Sequence, residues 1–223
     1  MIYAYGICAA ATTPPPCRGL GGARLGVLRR DGLAAVYSRH RRLRPQPTPA
    51  QVLAHERVVE AIMDDGPVLP LRFGTQLATE ERLATVLDER REELLRTLAR
   101  VRDRVELGVR ALPTAPTRDR AAGERTGRAY LLARAAQQRR RDRTVRDLHE
   151  PLAELAAATV VRPLPAPPAL LVAAYLVDAD RVAAFRARAA ALDAQHDELD
   201  VVVTGPWPPY NFATEDEDES RRR

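Results

Sequence analysis

The β-prone run Ile2-Tyr3-Ala4-Tyr5-Gly6-Ile7 predicts an opening strand, and about fifteen loop residues follow it. Two apolar runs, Leu25 to Leu28 and Leu33 to Tyr37, flank Arg29-Arg30-Asp31-Gly32, and Asp-Gly between such runs predicts a hairpin. The pattern then lengthens to a helical period, with Val52, His55, Val59 and Ile62 on one face. Thr48 is placed as its N-cap, Pro49 as the first helical residue, Gln51 as the partner in a capping box, and Gly66 as its end. In Pro67-Val68-Leu69-Pro70-Leu71-Arg72-Phe73-Gly74-Thr75, the core Val68 to Phe73 reads as a short buried strand. Pro70 would interrupt the ladder of a central strand, which places this one at an edge or a bulge. Arg72 must find a carboxylate, a carbonyl or water there, unless it faces solvent from a half-buried strand. A second helix starts at Thr79, with Glu80 and Glu81 in its first turn and Leu83, Val86, Leu87, Leu94, Leu98 and Val101 as its stripe. Val105 to Leu112 alternates as a closing strand.

The order β, ββ hairpin, α, β, α, β predicts an α+β domain over residues 1–113, related to the ferredoxin-like arrangement, with an antiparallel or mixed sheet and helices on one face. Pro113 to Thr117 reads as the boundary. Ala121 to Ala158 then reads as a long helix that Pro151 kinks or splits, and Pro163 to Pro168 as a connector. A strand at Leu170 to Val177 follows. Next come a helix capped by Asp178 or Asp180 and carrying Val182, Phe185, Ala189 and Leu192, and a strand at Leu199 to Thr204. These elements predict a second α+β domain over 114–214, followed by a charged, disordered tail at 215–223. The segment Gly205-Pro206-Trp207-Pro208-Pro209-Tyr210-Asn211-Phe212 holds the single Trp in a stiff, proline-rich frame. Its rings either staple the C-terminus to a domain or form a docking surface.

Composition narrows the chemistry. Aromatics make up 4% of 223 residues, so the core must be mostly Ala, Val and Leu. The formal charge is +5 and every basic residue is Arg, but most Arg alternate with Glu and Asp, as on a solvated helix face. The cluster Arg139-Arg140-Arg141-Asp142-Arg143 has no interleaved aromatics, which argues against nucleic-acid binding. Tyr3 and Tyr5 alternate onto one sheet face and are the candidates for an RNA-binding sheet. No run reaches the length of a membrane span, and the N-terminus lacks a basic n-region, so the expected location is cytoplasmic. Cys8 and Cys17 are expected to be free thiols, and the four scattered histidines offer no metal-ligand spacing. No phosphate loop, nucleophile elbow or paired carboxylates occur, and Gly19-Leu20-Gly21-Gly22 lacks a following helix. His55 and Glu56, with Arg72, could form the polar centre of an enzyme or small-molecule site. The favoured reading of His55 is a satisfied, partly buried histidine, because no nucleophile or second carboxylate is placed with it.

Three segments carry a resemblance: Tyr3-Ala4-Tyr5-Gly6-Ile7; His55-Glu56 with Val68-Leu69-Pro70-Leu71-Arg72-Phe73-Gly74-Thr75; and Thr204-Gly205-Pro206-Trp207-Pro208-Pro209-Tyr210-Asn211-Phe212. In this order they resemble the gas vesicle protein F and L family over nearly the whole chain. The resemblance implies a two-domain α+β protein without enzymatic activity or cofactor, acting in the building of gas vesicles, the hollow protein shells that give cells buoyancy. It implies as partners the small hydrophobic shell protein and other gas vesicle accessory proteins, and a cytoplasmic location at the vesicle. The expected partner-binding residues are Arg72, Phe73, Gly74 and Thr75, together with Trp207, Pro208, Pro209 and Tyr210. The Arg-rich segment and the acidic tail have no counterpart in that pattern.

Overall fold

The computed structural model describes residues 1–114, 127–162 and 169–214. The proline-rich connector and the charged tail lie outside these residues, as does most of the Pro113 to Thr117 boundary. The chain forms two compact units, one of Met1–Glu106 with Trp207–Arg223, the other of Leu107–Pro206.

The first unit is built around β1 (Ile2–Ala9), in a sheet ordered β2-β3-β1-β4 with β5 also paired to β1. These strands are β2 (Leu25–Arg30), β3 (Leu33–Arg39), β4 (Val68–Pro70) and β5 (Gln76–Leu77), and every pairing is antiparallel. The predicted hairpin joins β2 to β3 through Asp31 at φ 32° and Gly32 at φ 90°, the left-handed geometry that an Asp-Gly turn supplies. Opposite β3, Ala4 pairs with Tyr37 but Gly6 pairs with Val36, so Tyr5 is an extra residue in a bulge. The bulge shifts the face parity of β1, so Tyr3, Tyr5 and Cys8 all enter one buried cluster with Ala34, Val36 and Val68. That cluster is closed by Val58, Val59 and Ile62 from α1 (Pro49–Asp65). On the other face of β3, Leu33 and Ala35 are also fully buried.

Thr48 caps α1 by accepting the Gln51 N–H at 3.4 Å, and Gly66 ends it. The reciprocal arm of the capping box differs from expectation. Gln51 Oε1 accepts from Gln46 N–H at 2.9 Å, because the Thr48 N–H is already taken by the Gln46 carbonyl at 2.6 Å. The expected strand Val68 to Phe73 is shorter than predicted. β4 stops at Pro70, and Leu71 to Thr75 form a turn with Gly74 at φ 93°. The expected second helix is two, α2 (Glu80–Glu89) and α3 (Arg91–Val101), broken at Arg90. Leu87 and Leu94 stay in phase across the break, so the apolar stripe does not register it.

The second unit holds a sheet ordered β7-β8-β6-β9, formed by β6 (Arg104–Pro113), β7 (Ala158–Val161), β8 (Leu171–Asp178) and β9 (Leu199–Trp207). The alternation of β6 is as predicted, with Leu107, Val109 and Ala111 buried. Its place is not: β6 pairs in this second sheet instead of closing the first. A boundary at residue 113 would cut that sheet, whose compact unit begins at Leu107. α4 (Gly127–Ala153) runs through Pro151, which lies in its last turn, without splitting. Beyond Ala153 the expected helix is replaced by a turn at 154–157, and β7 begins at Ala158, antiparallel to β8 with Ala158 opposite Leu176. Neither predicted Asp cap forms a side-chain cap bond. A 3₁₀ turn at Ala179–Arg181 leads into α5 (Val182–Gln195), whose N-cap position is Arg181. Leu148 and Leu152 of α4 and Phe185, Ala189 and Leu192 of α5 pack on Tyr175 and its neighbours.

Candidate functional site

Tyr3 leaves β1 beneath the Leu71–Thr75 turn, and α1 brings His55 against it. Both are fully buried. His55 Nε2 lies 3.0 Å from the Leu71 carbonyl, which can only accept, so Nε2 carries the proton. Nδ1 is then the acceptor, and the Tyr3 hydroxyl, 3.0 Å away, donates to it. The Gly74 N–H in turn donates to the Tyr3 oxygen at 2.9 Å. Burial pulls His55 down to about 4, only partly opposed by its bond to Leu71, so the ring is neutral at neutral pH. Burial pushes the Tyr3 hydroxyl up to about 12, with the Gly74 N–H opposing it. The network begins and ends on the same turn, tying Leu71 and Gly74 to the core. Phe73 adds a ring at 6.2 Å from Tyr3 and 5.9 Å from His55, edge-on to both.

Arg72 sits at the crown of this turn. It is exposed, and no ion pair reaches it among the described residues. It is therefore not a buried charge in a strand. The turn is closed beneath it by Thr75, whose N–H and hydroxyl both donate to the Arg72 carbonyl at 3.1 and 2.7 Å. Gly74 is exposed, while Phe73 and Thr75 are half-buried.

A second buried chain runs from the Leu20 N–H to the Tyr5 oxygen at 2.8 Å, on to Ser38 Oγ at 2.9 Å and then to His40 Nε2 at 2.8 Å. Tyr3 and Tyr5 are thus core residues with committed hydroxyls. They offer no exposed platform for base stacking.

The C-terminal segment returns to the first unit and divides the predicted site residues. Pro208 and Pro209 are buried, Tyr210 is half-buried, Phe212 is 2% exposed and Trp207 is 44% exposed. The stapling is done by Tyr210, Asn211 and Phe212. Tyr210 donates to Glu56 at 3.0 and 3.1 Å. The Asn211 N–H donates to Glu106 at 2.8 Å, and Arg100 donates to the Phe212 carbonyl at 2.8 Å. Burial raises Glu56 above the usual carboxylate range, with the Tyr210 hydroxyl opposing the shift. Burial and the adjacent Glu56 push Tyr210 up.

His55, Glu56 and Arg72 do not converge on one cavity. Both nitrogens of His55 are occupied within the core, Glu56 is bound by Tyr210, and Arg72 projects outward. A cleft of about 470 Å³ in this unit is lined instead by Met1, Arg39, His40, Thr79, Glu80 and Glu81, with Arg39 paired to Glu80. Sequence reasoning missed Glu106 and Arg100 as anchors of the C-terminus. Glu106 is 7% exposed in the structure but occupies a polar position of an alternating strand, so nothing in the sequence marks it as buried.

Phe73 and Tyr210, far apart in the chain, pack against the same buried cluster. The arrangement defines a two-unit α+β protein whose first unit closes on the segment 207–214 and whose buried polar groups are spent on architecture. Residues 1–214 match the family described as gas vesicle synthesis protein GvpL/GvpF, and the chain belongs to that family. It is 32% identical to gas vesicle protein F2 of Halobacterium salinarum, over 86% of this chain and 81% of that one. It is 32% identical to gas vesicle protein F of a Streptomyces species, over 94% and 98%, and 35% identical to gas vesicle protein L of the same source, over 72% and 67%. The fold is similar to the crystal structure of GvpF from Anabaena, at TM-score 0.85 and 20% identity, covering 97% of each chain. It also resembles GvpF from Microcystis aeruginosa, at TM-score 0.80 and 21% identity, over 96% and 99%. No helix among the described residues is long and apolar enough to cross a membrane.

Proposed function

We propose that this gas vesicle protein acts without catalysis, as an assembly factor or minor vesicle component that holds the small hydrophobic shell protein while the vesicle nucleates or grows. Its partners in this reading are the shell protein and other gas vesicle accessory proteins, met in the cytoplasm at the vesicle. Nucleic acid and membrane are not among them. The observation that supports a docking role is the Leu71–Thr75 turn, fixed from below by Tyr3 and His55 while Arg72 stays exposed. A buried network that tethers a surface turn at both ends spends its order on presentation, since binding to a preformed surface loses less entropy. Arg72, Gly74 and Trp207 are the contact residues. Phe73, Thr75, Pro208, Pro209 and Tyr210 hold them in place.

A pull-down with the shell protein tests this reading. The double variant Arg72→Ala, Trp207→Ala should keep the parent's melting temperature and lose most shell-protein capture. Equal capture by the folded variant and the parent would overturn the assignment of this surface.

A further inference from the structure

β9 lies at the edge of the second sheet. Edge strands expose a row of backbone donors and acceptors that invites pairing with another chain. Over Leu199 to Thr204 this strand is β-prone and, Asp200 apart, mostly apolar, with Val202 45% exposed. The facing of its backbone groups can be worked out. The Thr114 N–H donates to the Glu198 carbonyl at 3.0 Å, and Thr204 sits beside Gly108, so even-numbered positions face β6. Alternation turns Val201, Val203 and Gly205 outward.

Two of these outward positions are taken by side chains of α5. Asp193 Oδ1 accepts from the Val201 N–H at 2.8 Å, and an Arg186 guanidinium nitrogen donates to the Gly205 carbonyl. The acceptor meets a donor and the donor meets an acceptor, as a neighbouring strand's groups would. Among the described residues no side chain is bonded to the Val203 backbone, which lies between them. We infer that Asp193 and Arg186 are edge guards that keep β9 from pairing with the β9 of a second copy of this chain. The occupant they exclude is a second copy because that contact is isologous: the same apolar edge serves both partners, and a single surface suffices for closure. Each guard also places a charged, exposed side chain where an incoming strand would lie, and such charges are an established means of blunting an edge.

Two measurements on the full chain test the inference. In amide hydrogen exchange, Val201 should be protected relative to Val203 in the parent, and Asp193→Ala should speed exchange at Val201 about tenfold, the loss of one charge-assisted hydrogen bond. Asp193→Asn keeps an acceptor oxygen and should retain most of that protection. In sedimentation velocity, the double variant Asp193→Ala, Arg186→Ala should self-associate in a concentration-dependent way that the parent does not. Adding Val203→Pro, which removes the unguarded donor, should reverse it. Equal exchange at Val201 and Val203 in the parent would overturn the guard geometry. A folded double variant that sediments like the parent at every concentration would overturn the guard role.

Discussion

Each unit of this protein contains a tyrosine hydroxyl bonded to Nδ1 of a histidine, and the two pairs are put to different uses. In the first unit Tyr3 and His55 are both fully buried, and the histidine's other nitrogen holds the Leu71 carbonyl. In the second, Tyr175 is fully buried 2.8 Å from His149, a half-buried residue on α4. Burial pushes Tyr175 up and pulls His149 down, so the same forces act in both units. What differs is what lies beyond the pair. His149 satisfies a buried phenol, whereas His55 extends the contact to a surface turn. The comparison teaches that a buried polar network gains a functional reading from where its ends lead.

The largest effect should come from His55→Ala, which removes two buried hydrogen bonds and leaves a cavity. We expect a loss of about 3 to 5 kcal/mol in urea unfolding, with faster exchange at the Gly74 amide. His149→Ala should cost clearly less. Equal costs would break the distinction.

Acid sharpens the same contrast. His55 falls from its ordinary 6.5 to about 4 in the folded protein, so below 6.5 the unfolded chain binds a proton that the folded one refuses. Stability should rise with pH between about 4 and 6.5 and be lost as pH falls through that window, by about 3 kcal/mol. His55→Gln should flatten this slope. His149 contributes with the same sign. A slope that survives His55→Gln unchanged would remove His55 as its source.

Tyr3→Phe should cost about 2 kcal/mol, because it strands both the His55 Nδ1 acceptor and the Gly74 N–H. Tyr175→Phe should cost about 1 kcal/mol, since the half-buried His149 can turn to water. The smallest effect should be that of Trp207→Ala, outside both pairs. At 44% exposure the ring should give up less than about 1 kcal/mol, read as a nearly unchanged melting temperature.

Much of the first unit was legible because its signals are local. Asp31-Gly32, Thr48-Pro49 and the Thr79-Glu80-Glu81 start each act through backbone geometry within a few residues. The misplaced elements depend on distant ones. β6 has the predicted alternation, but nothing in its own residues says which sheet it joins. β7 is four residues after a helix, too short for its period to stand out. In the sequence Arg72 reads as a strand residue because Leu71 and Phe73 flank it. The turn that exposes it is held by Tyr3 and His55, far away in sequence. The bulge at Tyr5 is likewise visible only once β3 is paired beside it.

The first unit is also discontinuous, interrupted at Glu106 and resumed at Trp207. During synthesis its β-sheet, α1, α2 and α3 leave the ribosome early, but the residues that cover Glu56, Glu106 and Arg100 are made only after residues 107–206. Until Tyr210, Asn211 and Phe212 emerge, two carboxylates and a guanidinium in the nascent unit lack their bonds to that segment. The intervening unit can complete its own core first. The first unit therefore reaches its finished state only after residues 107–206 have been synthesised, which couples its completion to synthesis of the second unit.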